Sequence, residues 1–255
     1  MLFRSKSFRH TTGSALSAIW PAHAGGLSRR SQILMYHSIG GVAVGDRTGL
    51  YSISEEQFTR QIEVLYQLQL DGLLKIVPFG QEQDGSLSIT FDDGYRDNLT
   101  IATPILERFN FPFHIFLNPS LIESHESGFL SEDDLRILKN HPLVSLGLHG
   151  YSHRPMTSLS ADEVRSELKA ARDWFSDQTS SQAISLSYPH GSVNDGVISL
   201  VKESQFLFAA CSKFGPLASS SNCFRLPRID LWSSDSDRSF RAKIIGSWDW
   251  MRWRT

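Results

Sequence analysis

Three short stretches of this chain concentrate groups that can hold a cation or move a proton. Asp92-Asp93-Gly94-Tyr95 sets two carboxylates side by side, an arrangement that is unfavourable unless a cation or a proton separates their roles. Gly94 permits a tight turn and lets backbone N–H groups approach a bound molecule. His149-Gly-Tyr-Ser-His153 carries two imidazoles four residues apart, and both can converge on one metal ion from a helical turn or a curved loop. Leu186-Ser-Tyr-Pro-His-Gly191 brings Tyr188 and His190 to a turn shaped by Pro189 and Gly191. Each stretch alone has an ordinary alternative: a solvated Asp-Asp-Gly turn, two surface histidines, a plain strand-to-helix turn. In combination, a carboxylate and two histidines make a three-ligand set, and three protein ligands with a fourth position for water are the arrangement of a catalytic rather than a structural zinc site.

Positioning such groups falls to the runs that precede them. Residues 87–91, 143–148 and 183–188 read as strands, and each is followed directly by one of the three stretches. Further strand runs are expected at residues 33–36, 73–77, 113–117, 206–211 and 224–231. Helices are expected between them. Ser54-Glu-Glu-Gln57 and Ser160-Ala-Asp-Glu163 are capping boxes, the first leading Phe58, Ile62, Leu65 and Leu68 at helical spacing, the second a helix to about residue 175. Residues 99–109 form a helix in which Pro104 marks a kink or a late start. Ser131 opens a helix to Asn140, and residues 193–204 and 239–253 complete the set. Seven or eight strands alternating with helices, with no repeat and no internal linker, predict an α/β fold of one domain, a parallel sheet closed or nearly closed as a barrel with outer helices. In such barrels the catalytic groups lie at the C-terminal strand ends, where all three polar stretches fall.

Composition narrows the partners. The 255 residues carry 40% hydrophobic and 20% charged side chains and a net charge of −2, so a sizeable core is available and nucleic acid is not the expected partner. No apolar run approaches the ~20 residues of a transmembrane helix. Two cysteines, Cys211 and Cys223, provide neither a disulfide framework nor a four-thiolate zinc site, and leave open a single bridge or two free thiols. Residues 1–30 combine a basic start with a weak apolar patch ending Ala22-His-Ala24. A flexible leader is expected there rather than an export signal, which favours a cytoplasmic location. Residues 31–255 form the expected catalytic domain. No feature of the sequence sets the oligomeric state.

Thr90-Phe-Asp-Asp-Gly94, His149-Gly-Tyr-Ser-His153 and Tyr188-Pro-His-Gly191, in that order, resemble the polysaccharide deacetylases of carbohydrate esterase family 4, which share the chitooligosaccharide-deacetylase homology domain. Ile33-Leu-Met-Tyr-His-Ser38 and Arg225-Leu-Pro-Arg-Ile-Asp230 are similar to segments of its bacterial exopolysaccharide branch. The resemblance spans residue 31 to the C-terminus. It implies a distorted (β/α) barrel, usually of seven strands, and metal-dependent removal of acetyl groups from N-acetylated sugars of an exopolysaccharide, chitin-like or peptidoglycan-like polymer. It further implies Asp92 as general base, Asp93, His149 and His153 as ligands of a divalent metal (zinc the first candidate), and the Tyr95 N–H as an oxyanion donor. Tyr188, Pro189 and His190 would border the sugar. Sugar rings present apolar faces, so Tyr188 and Trp232 are candidate stacking groups, with core packing the alternative for Trp232. For Trp248, Trp250 and Trp253, packing or membrane-edge contact is expected.

Four positions depart from the family pattern. Gly150 replaces the usual Ser or Thr after the first histidine, removing a loop-fixing hydrogen bond. Ile184 stands where many members have an arginine that tethers the base, and Arg228 is the available substitute. The late Leu-x-His that usually supplies the general acid is missing. His37 stands where a permuted branch keeps its acid, with a structural histidine as the alternative. Two further readings remain open: the same chemistry on a small, nucleotide-linked or lipid-linked acetamido sugar, and a carbohydrate-binding protein without catalysis.

Overall fold

Residues 26–253 are described by the computed structural model. Parallel strands β1 (Gln32–Tyr36), β5 (Ser86–Phe91), β6 (Phe113–Leu117), β7 (Val144–Leu148), β8 (Ser185–Ser187), β9 (Phe208–Phe214) and β10 (Leu226–Asp230) form one continuous ring. It closes because β1 pairs with both β10 and β5, with Leu34 opposite Ile229 on one side and Ile89 on the other. Among the described residues this is a seven-stranded barrel, as expected. Short β4 (Lys75–Ile76) adds to the start of β5, and β2 (Ser38–Ile39) pairs with β3 (Ser52–Ile53) above the rim.

Alternation along each strand sorts side chains between the barrel interior and the helices outside. Leu87, Ile89 and Phe91 of β5 join the outer core with Leu186 and Ile229, whereas Ile33, Phe116, Ala210 and Leu226 meet inside. Much of the interior is polar. His114 bridges the hydroxyls of Ser145 (2.6 Å) and Ser185 (3.0 Å), and burial pushes its imidazole down to about 3 against the opposing field of Asp92, so it is neutral. Ser88, Thr90, Ser187 and Arg228 are likewise buried. Outside, the Ser54-capped helix Glu55–Leu70 turns Phe58, Ile62 and Leu65 inward, and the capping box at Ser160 opens Ala161–Thr179, which runs past its expected end until Ser180 adopts a left-handed conformation.

Several elements differ from expectation. The helix expected over residues 99–109 is a π-helical stretch, Asn98–Ala102, followed by an α-helix, Thr103–Arg108, with Pro104 in its first turn. The proline therefore marks a late start of the α-helix, directly after the π-helical stretch. The helix Pro119–Glu123 was not expected. The strand expected over residues 73–77 shrinks to β4. The last helix is interrupted: Asp237–Ile244 ends before Gly246 (φ 90°), and a 3-10 helix, Asp249–Trp253, follows. The Arg30 guanidinium occupies the place a Cβ would take at Gly246, while donating to both carboxylate oxygens of Asp249 at 2.6 and 2.9 Å. Of the leader expected at residues 1–30, residues 1–25 lie outside the described residues. Trp248 and Trp250 are buried and Trp253 is 71% exposed. Cys211 is buried and Cys223 exposed, both free thiols. No helix among the described residues is long and apolar enough to cross a membrane.

Candidate active site

Asp92 extends β5 by one residue, its N–H donating to the Tyr36 carbonyl at 3.0 Å, and its side chain shares the inward parity of Ser88 and Thr90. Arg228, inward on β10, grips it in a bidentate pair: Nη1 to Oδ1 at 2.8 Å and Nη2 to Oδ2 at 2.7 Å. The guanidinium is itself held by the Cys211 carbonyl (3.2 Å), Thr90 Oγ1 (3.3 Å) and Ser187 Oγ (2.8 Å), and the Ser187 hydroxyl donates onward to Asp92 Oδ2 at 3.1 Å. Burial resists ionisation of Asp92, but the Arg228 charge and then the field of His149 outweigh it and bring the carboxyl down to about 2. The sequence left Arg228 as a possible substitute tether; the fold brings it onto Asp92, while Ile184 is exposed on the outside.

Asp93 points away from this pair because its backbone turns left-handed (φ 75°). His149 continues β7, its N–H on the Leu117 carbonyl at 2.7 Å, and its Nδ1–H donates to the Ser187 carbonyl at 2.9 Å. That bond fixes the tautomer and leaves Nε2 as an acceptor. Burial lowers the His149 pKa to about 4 despite the fields of Asp92 and Asp93, so the ring is neutral, as a metal ligand must be. His149 Nε2 lies 3.4 Å and His153 Nε2 3.1 Å from Asp93 Oδ1. Ligand atoms of the three residues all fall within 4.8 Å of one another. Asp93 Oδ1 is buried and has no well-formed hydrogen bond among the described residues. A buried carboxylate oxygen facing two imidazole nitrogens fits a divalent cation in its donor chemistry and in its orphaned acceptor.

The loop carrying the histidines is secured without a Ser or Thr at position 150. Asn118 Nδ2 donates to the His149 carbonyl at 2.7 Å, and Glu167 accepts from the Tyr151 and Ser152 N–H groups at 3.1 and 3.0 Å. Gly150 has φ 67°, and a Cβ there would lie 2.9 Å from Pro189 Cγ. Gly150→Ala is therefore expected to lower the unfolding free energy by about 1–2 kcal/mol from the left-handed backbone alone, with the clash adding to it. Urea denaturation would reveal the loss, and an unchanged midpoint would contradict the geometry.

These residues open into one pocket of about 490 Å³, lined by His37, Asp92, Asp93, Tyr95, His149, His153 and His190 together with Met35, Ser212, residues 43–46 and Tyr51. Tyr95 lies opposite Phe129 in a non-hydrogen-bonded antiparallel pair, flanked by Arg96 N–H to Gly128 O and Leu130 N–H to Gly94 O. Its own N–H consequently points away from that partner. His190 sits at the rim, 4.6 Å from the His153 ring, donating to the His153 carbonyl at 3.1 Å.

The stacking expectations are corrected. Tyr188 has the outward parity of Leu186; it is fully buried among the helices and its hydroxyl donates to the Phe224 carbonyl at 2.9 Å. Pro189 is buried under Gly150 and does not line the pocket. Trp232 is 1% exposed, its ring 3.8 Å from Lys243 Nζ and edge-on to Trp248. None of the three presents a face to a sugar. Sequence reasoning gave no role to Tyr51, whose ring lies against His37, or to Asp230, which accepts from Trp232 Nε1 at 2.7 Å and interacts electrostatically with His37. Asp230 ends a barrel strand and closes the Arg225-Leu-Pro-Arg-Ile-Asp230 stretch, the two signals that could have pointed to it.

Residues 80–209 match the sequence model of the family described as polysaccharide deacetylase. YxkH of Bacillus subtilis (strain 168), named as a candidate polysaccharide deacetylase, is 23% identical over 219 residues, covering 83% of this chain and 75% of its own. Among solved structures, the Streptococcus pyogenes deacetylase PplD, in complex with acetate, superposes with a TM-score of 0.72 at 21% identity over 84% of this chain and 98% of its own. IcaB from Ammonifex degensii gives 0.69 at 18% identity over 85% and 96%.

Proposed function

The chain belongs to the polysaccharide deacetylase family, hydrolases of amide bonds, and from that premise we propose that it removes N-acetyl groups from the sugars of a polysaccharide. Asp92 is the general base in this reading, and Asp93, His149 and His153 hold a divalent metal, zinc the first candidate. The observation that carries it is the juxtaposition, in one pocket, of the Arg228-tethered carboxylate with the convergent Asp-His-His group.

The metal supplies Lewis acidity, polarising a carbonyl oxygen and making water easier to deprotonate. Asp92 takes the proton of the attacking water. The Arg228 guanidinium, followed by the field of His149, holds its carboxyl below the ordinary carboxylate range against the cost of burial, so it is ionised and free to accept a proton. Arg228 and Ser187 hold its carboxylate in one orientation, so no rotamer search precedes attack. The Tyr95 N–H stabilises charge on the former carbonyl oxygen, a contribution of about 3 kcal/mol per donor. His37 protonates the departing amine, and acetate and a free amino sugar leave. His190 at the rim borders the sugar.

The test is acetate release from N-acetylglucosamine oligomers, after chelation and again with zinc restored, with the metal content of wild type and His153→Ala measured in parallel. Zinc-dependent acetate, with both metal and turnover lost in His153→Ala, is expected. Stoichiometric metal retained by His153→Ala would remove it from the ligand set. Bound zinc without acetate would point to a small or lipid-linked acetamide, and neither metal nor acetate to a binding protein.

A further inference from the structure

His37 follows β1 and lines the pocket, where the fields of Asp230, Asp92 and Asp93 reach its ring. Asn98 Nδ2 fixes its backbone by donating to the His37 carbonyl at 2.8 Å, but the buried Nδ1 has no hydrogen-bond partner among the described residues. What meets the imidazole is the ring of Tyr51, with centroids 4.3 Å apart and planes inclined by 40°. Tyr51 is carried by the excursion that β2 and β3 close, and the chain around it is pinned. Its N–H donates to Asp46 Oδ2 at 2.6 Å, the Ser233 N–H donates to the preceding Leu50 carbonyl at 2.8 Å, and the following Ser52 hydroxyl accepts from Ala43 N–H at 2.9 Å. The Tyr95 hydroxyl adds a bond to the Val44 carbonyl at 3.2 Å. An aromatic ring on a backbone held from both sides is thus set against the His37 imidazole.

We propose that Tyr51 is a positioning residue that sets the orientation of the His37 imidazole toward the leaving nitrogen. This rests on His37 acting as the general acid under the function proposed above. In that reaction the acetyl C–N bond breaks, the hydroxyl of water ends on the acetyl carbon, the water's proton passes to Asp92, and the amine nitrogen takes its proton from His37. An amide nitrogen cannot depart as an anion, so the rate on an acetamide depends on where His37 points. A 4-nitrophenyl ester undergoes the same attack, but its C–O bond breaks to release a phenolate that needs no proton.

Leaving-group dependence therefore separates positioning of the acid from general damage. Tyr51→Ala is expected to lower kcat on N-acetylglucosamine oligomers by about 10–100-fold, a part of the ~10²–10⁴ that general acid catalysis supplies, with KM little changed, and to lose far less on 4-nitrophenyl acetate. Tyr51→Phe keeps the aromatic face and should restore most of the amide rate. In a His37→Ala background, Tyr51→Ala should cost nothing further on the amide, since two residues acting through one group are not additive. Equal losses on amide and ester would overturn the proposal. So would an unchanged amide rate, or a raised KM at constant kcat, which would make Tyr51 a sugar contact. If wild type releases acetate from neither substrate, the proposed function fails, and the ring contact is judged separately by NMR. The His37 imidazole resonances should move in Tyr51→Ala and stay near their wild-type positions in Tyr51→Phe. Resonances indifferent to Tyr51→Ala would refute the positioning on their own.

Discussion

Asp92→Asn is expected to cut acetate release by about 10²–10⁴-fold, the span of general base catalysis, while zinc remains bound at one ion per chain. The two readouts separate because the three converging ligand atoms belong to Asp93, His149 and His153, and Asp92 faces Arg228 instead. The amide keeps a carbonyl oxygen for one of the two guanidinium bonds, so the pocket should retain its shape. Turnover within tenfold of wild type would remove Asp92 from the base role. Loss of the metal would mean that the adjacent carboxylates share one task.

Arg228→Met should have the largest effect on stability. The pair is fully buried, and deleting one partner of such a pair typically costs about 3–5 kcal/mol, because the other charge is left without compensation. The pH dependence reverses as well. In wild type the folded pKa of Asp92, about 2, lies below its ordinary value of 3.8. The pair therefore adds stability that is present above the unfolded pKa and is lost as pH falls through about 2. Without Arg228 the desolvation of Asp92 becomes dominant and its folded pKa moves above the unfolded one, so its ionisation opposes folding at neutral pH. The stability gap between wild type and Arg228→Met, measured by urea denaturation, should be widest near pH 7 and narrow toward pH 3. Combining Arg228→Met with Asp92→Asn should recover much of the loss, since no buried charge then stands alone. A gap that is constant with pH, or additive losses in the double variant, would show that the guanidinium acts through packing.

Much of this site was legible in one dimension because barrel chemistry collects where strands stop. Asp92, Asp93, His149, His153 and His190 each follow an apolar run, and the fold delivers them to one pocket. What failed was the direction of aromatic side chains. Tyr188 sits two residues beyond Leu186, and the alternation of Ile184, Leu186 and Tyr188 with Ser185 and Ser187 does place it on one face; what the pattern does not say is that the serine face is the barrel interior and the apolar face meets the helices. Trp232 escaped because its surroundings, Lys243 and Trp248, come from the C-terminal segment. The last helix was drawn too long because its interruption at Gly246 is set by Arg30, more than two hundred residues earlier. Tyr51 carried no signal at all, since a ring in a loop acquires meaning only from the histidine it meets.

Closure of the barrel through its first and last strands has a consequence for the order of assembly. Domains emerge from the ribosome N-terminal part first, and Arg228 lies 136 residues beyond Asp92. Until β10 is in place, Asp92 has no guanidinium beside it, which disfavours any compact arrangement that buries its charge. Docking of β10 therefore closes the ring and completes the Asp92–Arg228 pair in the same event.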